Sequence, residues 1–173
     1  GRLKEIYDDL QSSRGKIAGV HTIHSLNPES LVAHMELYMT VMFGSSPLSR
    51  ADREMMAVIV SATNGCEYCR AHHSKALDHF WKDPDRVRTL PIDYRRAGLS
   101  KAQLALCNFA EMVTREPTKS EEEDLTEPLR TAGFDDRAIL DATLVTSYFN
   151  FVNRMVLTLA VEVEEEPGGY RYE

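Results

Sequence analysis

The chain has 173 residues, 43% apolar and 27% charged, which excludes a largely disordered polymer and suits one domain with its own hydrophobic core. A net charge of −7, with the 20 Lys and Arg dispersed, argues against a nucleic-acid surface, because phosphate binding needs a basic patch. Three cysteines are too few for a secreted disulfide framework and point to a reducing, cytoplasmic compartment. The opening GRLKEIYDDLQSS lacks the apolar run of a signal peptide, although the chain does not begin with Met and residues can precede Gly1. The longest apolar segment, Ile139 to Ala160, is broken by Asp141, Asn150, Asn153 and Arg154, which argues against a membrane span.

In chain order, a short helix is expected from about Leu3 to Ser12 and a second from about Lys16 to Leu26. Asn27-Pro28 supplies an N-cap and a Pro at the first helical position, and Leu31, Met35, Tyr38 and Met42 then recur at helical spacing up to Gly44. Ser49 followed by Asp52 opens another helix. Ser100-Lys101-Ala102-Gln103 and Ser120-Glu121-Glu122-Glu123 both fit the capping box, and Leu106, Phe109, Ala110 and Val113 make one apolar stripe. Asp135 can cap a last, long helix to about Val161, apolar nearly all round and so buried in the core or at a subunit contact. No strand alternation appears. The expected class is therefore all-α, a multi-helix bundle in one domain over 1–161, with 162–173 as an acidic C-terminal tail, solvated or partner-binding.

The stretch NGCEYCRAHH, residues 64–73, holds two of the three cysteines and two of the six histidines. A helix starting there puts Cys66 and Cys69 within about 20° and 40° of His73, whereas His72 falls about 100° away, at a surface or interface. A dithiol at a helix start has a physical use: free N–H groups and the helix dipole favour a thiolate. Cys69, one turn before His73, reads as the attacking thiolate and Cys66 as the resolving thiol. A thiolate that attacks a peroxide O–O bond gives a sulfenic acid, which condenses with a second thiol, and the leaving alkoxide needs a proton that a histidine can supply. Glu54 is the candidate to orient that histidine. If the chain folds back at Asn64-Gly65, Glu54 and His73 stand about 16 and about 12 Å from the turn, nearly level. A competing reading takes Cys66, Cys69 and His73 as zinc ligands with His79 or Cys107 as the fourth.

The pattern of Glu54, eleven residues, Cys66, two residues, Cys69, three residues and His73 resembles the alkylhydroperoxidase D (AhpD)-like peroxidases of the carboxymuconolactone decarboxylase superfamily. The stretches MFGSSPLSRADREMMAVIVSATNGCEYC and AGFDDRAILDATLVTSYFNFVNRMVLTLAVEV are similar to its peroxidase-related subgroup. That resemblance implies an AhpD-like helical fold with a central CxxC helix, and a homo-oligomer (dimer, trimer or hexamer). It also implies no metal or organic cofactor, and antioxidant peroxide reduction through a Cys66–Cys69 disulfide cycle. It makes Cys69 peroxidatic, Cys66 resolving, and His73 and Glu54 the proton relay. The reductant it implies is a dithiol, on a lipoyl-bearing or thioredoxin-like protein. One departure is Tyr68, where the best-known members carry a histidine. A redox- or zinc-responsive helical module without catalysis is the alternative, and a decarboxylase-type lyase a further one.

Tyr68, Asn150 and Asn153 are candidate pocket residues; the two asparagines lie one helical turn apart and must satisfy their amides if buried. Cys107, among Leu104, Leu106 and Phe109, reads as a buried, inert thiol. His21, His24 and His34 have no partner spacing and read as structural.

Overall fold

The computed structural model describes residues 1–171, and among these every regular element is helical. Helix α1 (Arg2–Arg14) stops at Gly15, whose φ of +81° is left-handed. Helix α2 is a single turn, Gly19–Thr22, in place of the longer helix expected from about Lys16 to Leu26. Gly15 and the extended backbone of Ala18 keep the preceding residues out of the helix. Helix α3 (Pro28–Phe43) starts and ends where Asn27-Pro28 and Gly44 predict, and Leu31 and Met42 are fully buried.

Helix α4 (Arg50–Thr63) is capped by Ser49, whose Oγ accepts from the Asp52 amide at 3.0 Å. It is the innermost helix, running against α5, α7 and α9, so that Met55, Met56, Val58 and Val60 are all 0% exposed. Each such side chain contributes about 1.5–3 kcal/mol relative to exposure. Gly65 takes φ +68° and turns the chain sharply, so that helix α5 (Glu67–Trp81), with Cys66 as its N-cap, folds back along α4 in the most extensive helix pairing of the fold.

Helix α6 (Pro84–Thr89) and a 3₁₀ turn (Tyr94–Arg96) lead to α7 (Lys101–Arg115), where Ser100 and Gln103 form the reciprocal capping box. The box expected at Ser120 does not form. Ser120 lies inside a 3₁₀ turn, Pro117–Glu121, and its Oγ donates to the Pro117 carbonyl at 2.9 Å, so the next α-helix is the short α8 (Glu127–Thr131). Helix α9 (Asp136–Thr158) is capped by Asp135, which accepts from the Ala138 amide at 2.8 Å, and ends three residues before Val161. One face of α9 is buried through Ala142, Val145, Phe149 and Val152; Leu140, Leu144 and Phe151 on the other are exposed. No helix among the described residues is long and apolar enough to cross a membrane.

Beyond α9 the described residues are not helical but return to the body. Lys16 Nζ donates to the carbonyls of Glu166 and Gly168 at 2.7 and 3.2 Å, and the Gly19 amide donates to Glu164 Oε1 at 2.9 Å. Gly19 is where the segments approach most closely: a Cβ there would stand 2.5 Å from Val161 Cγ1. This part of the tail is therefore tethered to the body although most of its residues stay exposed, while Tyr172 and Glu173 lie outside the described residues.

Candidate active site

The α4–α5 turn brings Glu54 and His73 together. Glu54 is 0% exposed; its Oε1 accepts from Arg50 at 2.6 and 3.0 Å, and its Oε2 meets His73 Nδ1 at 2.6 Å. Burial opposes ionisation of this carboxyl and is the largest single influence. The summed charge and hydrogen bonds of His73 and Arg50 outweigh it and hold the group below its usual range. An ionised carboxylate can only accept, so His73 Nδ1 donates and Nε2 is left as the nitrogen for a reacting partner. The Arg50 guanidinium is in turn held over the Phe43 ring, 3.6 Å from its centroid, and the His73 ring meets Phe149 edge-on.

Cys66 and Cys69 are free thiols hydrogen-bonded to each other and are 1% and 3% exposed. Their bond separates their acidities. The hydrogen bond from Cys69 draws the Cys66 thiol down to about 7 against the opposing effect of burial. The same bond and burial push Cys69 well above the usual thiol range. Physically the pair shares one proton: the first leaves readily and the second is held between two sulfurs. Access runs the other way. A cavity of about 60 Å³ has Cys69, Tyr68, His72 and His73 of α5 in its wall, whereas Cys66 is not part of that wall.

Asn153 reaches the Cys69 thiol by a hydrogen bond while its amide also donates to Ser61 Oγ at 3.2 Å. Asn64 Nδ2 donates to Oδ1 of both Asn153 and Asn150, at 3.0 and 3.1 Å, and Asn150 Nδ2 donates to Thr114 Oγ1 at 2.9 Å. The two asparagines thus do not line the cavity, contrary to the reading of them as candidate pocket residues. They tie the α4–α5 turn to α9 and α7 from behind the thiols, because Asn64 supplies a donor that their own helix cannot.

His72 also departs from expectation, since it is buried and in the cavity wall. The Gly168 amide donates to its Nδ1 at 3.0 Å, so Nε2 carries the hydrogen toward Glu164 Oε2 at 2.7 Å. Glu164 Oε1 also accepts from the Tyr68 hydroxyl at 3.2 Å, and that hydroxyl accepts from the Val20 amide at 3.2 Å. Burial works against the Glu164 charge, but the amides, including that of Gly19, and His72 bring its carboxyl down to about 2. Burial raises the Tyr68 phenol instead.

His21 and His34 line the cavity as well, with Arg14 and Tyr170. Spacing could not reveal these groups, because the segments carrying them, α1, α2, α3 and the tail, meet only in the tertiary fold. Arg50, one turn before Glu54, is the one missed residue whose offset could have flagged it. Cys107 is 0% exposed, and burial raises its thiol. Among the described residues no three His, Cys, Asp or Glu side chains converge in a metal-binding arrangement.

The Carboxymuconolactone decarboxylase family matches residues 28–112. An uncharacterized peroxidase-related protein from Silicibacter sp. TM1040 is 34% identical over 98% of this chain and 88% of its own, with a TM-score of 0.87. An AhpD-core, peroxidase-related protein from Ralstonia eutropha JMP134 is 26% identical over 95% of this chain and 85% of its own, with a TM-score of 0.84. The debrominase Bmp8 shares the fold at 18% identity, covering 95% of this chain and 87% of its own with a TM-score of 0.76. No curated protein matches the chain.

Proposed function

The chain belongs to the AhpD/carboxymuconolactone decarboxylase superfamily, and from that membership we propose that it is a thiol-dependent peroxidase working through Cys66 and Cys69. The superfamily fold carries enzymes of more than one kind, a debrominase among them, so the fold alone does not choose the reaction. The observation that carries the proposal is a hydrogen-bonded dithiol whose Cys69 shares a cavity wall with a carboxylate-oriented histidine, His73.

In the proposed cycle the Cys69 proton passes along the shared hydrogen bond to the Cys66 thiolate. Cys69 sulfur attacks the distal oxygen of the hydroperoxide; the S–O bond forms as O–O breaks, and the alkoxide takes a proton from the His73 imidazolium. Cys66 then attacks the Cys69 sulfenic acid, its proton leaves with the hydroxyl as water, and a disulfide remains. A dithiol reductant, lipoyl-bearing or thioredoxin-like, returns two electrons and two protons to the pair, one of which recharges His73. No metal or organic cofactor enters. A reducing compartment such as the cytoplasm suits the dithiol form. A homo-oligomer is part of the proposal, supported by exposed Leu140, Leu144 and Phe151 on one face of α9.

The test is peroxide consumption by the dithiol-reduced protein. Turnover that Cys69→Ser abolishes, with a sulfenate trapped on Cys69 in Cys66→Ser, supports the reading. Full activity in Cys69→Ser overturns it, and oxidation to the disulfide without turnover favours a redox switch.

A further inference from the structure

The cavity wall carries a positive charge that no neighbour neutralises. Arg14, at the end of α1, is 6% exposed, and its guanidinium carbon lies 4.6 Å from the Phe43 ring centroid, 5.6 Å from Tyr38 and 5.8 Å from Tyr170. Among the described residues no carboxylate and no side-chain hydrogen bond meets it. Aromatic faces attract a cation, yet they leave its N–H donors without acceptors. An unpartnered buried nitrogen lies in the same wall. His34 Nε2 is 3.3 Å from the Tyr148 hydroxyl, whereas its Nδ1 is buried with no partner among the described residues. Buried polar atoms without partners are uncommon and call for an explanation.

The surrounding wall does little to offset the arginine. Burial, and after it neighbouring positive charge, brings His21 and His34 each to about 4, so both are neutral near pH 7. Burial lowers His72 as well, and its carboxylate partner Glu164 is not in the wall. Glu54 lies behind His73 with both oxygens engaged.

We infer that this cavity is an anion-binding substrate pocket, in which a small carboxylate-bearing hydroperoxide seats its carboxylate on Arg14 and presents its O–O bond to Cys69. The inference rests on the peroxidase reading for its chemistry, and it names the substrate class. A space of about 60 Å³ suits a body of few heavy atoms. Arginine meets a carboxylate through two parallel N–H donors, which fixes orientation as well as charge. The rings of Tyr38, Phe43 and Tyr170 flank the guanidinium, and the unpartnered Nδ1 of the wall residue His34 is the group offered to a second polar atom of the ligand. The sulfur chemistry is unchanged, and the product is the corresponding hydroxy acid.

Two alkylating probes of nearly equal size, iodoacetate and iodoacetamide, test the charge independently of peroxide turnover. The ratio of their rates at Cys69, located by fragment mass spectrometry, is expected to exceed that of free glutathione by about tenfold. Arg14→Met should bring it to the glutathione value, and Arg14→Lys should retain a preference for iodoacetate. Equal ratios in wild type and Arg14→Met overturn the inference. Should Arg14→Met not fold, wild-type protein decides: propionate protecting Cys69 from iodoacetamide where propionamide does not is the supporting result, and no difference between them the opposing one. With a short hydroperoxy acid and its methyl ester as substrates, Arg14→Met should raise KM for the acid toward that of the ester. Failure to reduce either peroxide would defeat the peroxidase reading, while the alkylation ratio would still decide the anion site.

Discussion

Glu54 and His73, nineteen residues apart in sequence, meet at 2.6 Å across the α4–α5 turn, with the carboxylate wholly enclosed. That contact fixes which imidazole nitrogen faces the chemistry. Glu54→Gln keeps the shape but removes the charge that stabilises an imidazolium, so kcat/KM for peroxide should fall by roughly 10²-fold. Glu54→Ala goes further: it strips Arg50 and His73 of their shared acceptor and should cost about 3–5 kcal/mol of stability. Steady-state kinetics beside urea unfolding separates the two effects. Turnover of Glu54→Gln within twofold of wild type would remove the relay from the mechanism.

The thiol pair should lose its protons in two well-separated steps. Thiolate absorbance near 240 nm is expected to show the first step near pH 7, the value to which the Cys69 hydrogen bond draws Cys66. The second should lie well above 9, where the remaining proton is held between the sulfurs. Cys69→Ala deletes that hydrogen bond, and the remaining Cys66 step should move upward past pH 8. A single step of two protons in the wild type would contradict the shared-proton arrangement.

Much of this site could be read from local sequence because its core lies on one helical hairpin. Ser49, Gly65 and the dithiol mark where α4 and α5 begin and turn, and helical rise alone then levels Glu54 with His73. Asn150 and Asn153 mark a buried polar surface, but spacing could not say that Asn64 satisfies it from behind the thiols. The misplacement of His72 has a different cause. Its direction on α5 is as expected, yet residues 164–170 close over that face, and a partner 92 positions away leaves no periodic trace. Helix starts fared likewise: Ser100 and Asp135 cap helices, whereas Ser120 turns its hydroxyl onto a carbonyl behind it.

Tyr68 departs from the histidine found in the best-known relatives, and its surroundings suggest a tether in place of a proton carrier. Burial raises the phenol above its ordinary range, and its oxygen joins the Val20 amide to Glu164. Tyr68→Phe should therefore alter peroxide turnover by less than about threefold while lowering stability by about 1–3 kcal/mol, since the Val20 N–H loses its acceptor. Hydrogen exchange should quicken around Val20 and Gly168. A hundredfold loss of turnover with unchanged stability would instead make the phenol part of the chemistry.

Acid should weaken the fold well before the carboxylates titrate. His21 and His34 are brought to about 4 chiefly by burial, so their folded values lie below the unfolded 6.5. Above 6.5 both states are neutral and the contribution is fully present. As pH falls below 6.5 the unfolded chain takes up protons that the fold refuses, and stability drops until about 4, where the folded groups also protonate. Glu164 acts with the same sign in a lower window: its stabilisation is present above 4.5 and is lost as pH falls toward about 2. Between about pH 7 and about pH 5 the buried histidines therefore dominate, at roughly 2 kcal/mol each by pH 5. His34→Gln removes one of them. Its unfolding free energy, measured in urea at both pH values, should decline less than that of the wild type by about that amount. An equal decline in both proteins would show that His34 accepts its proton within the fold.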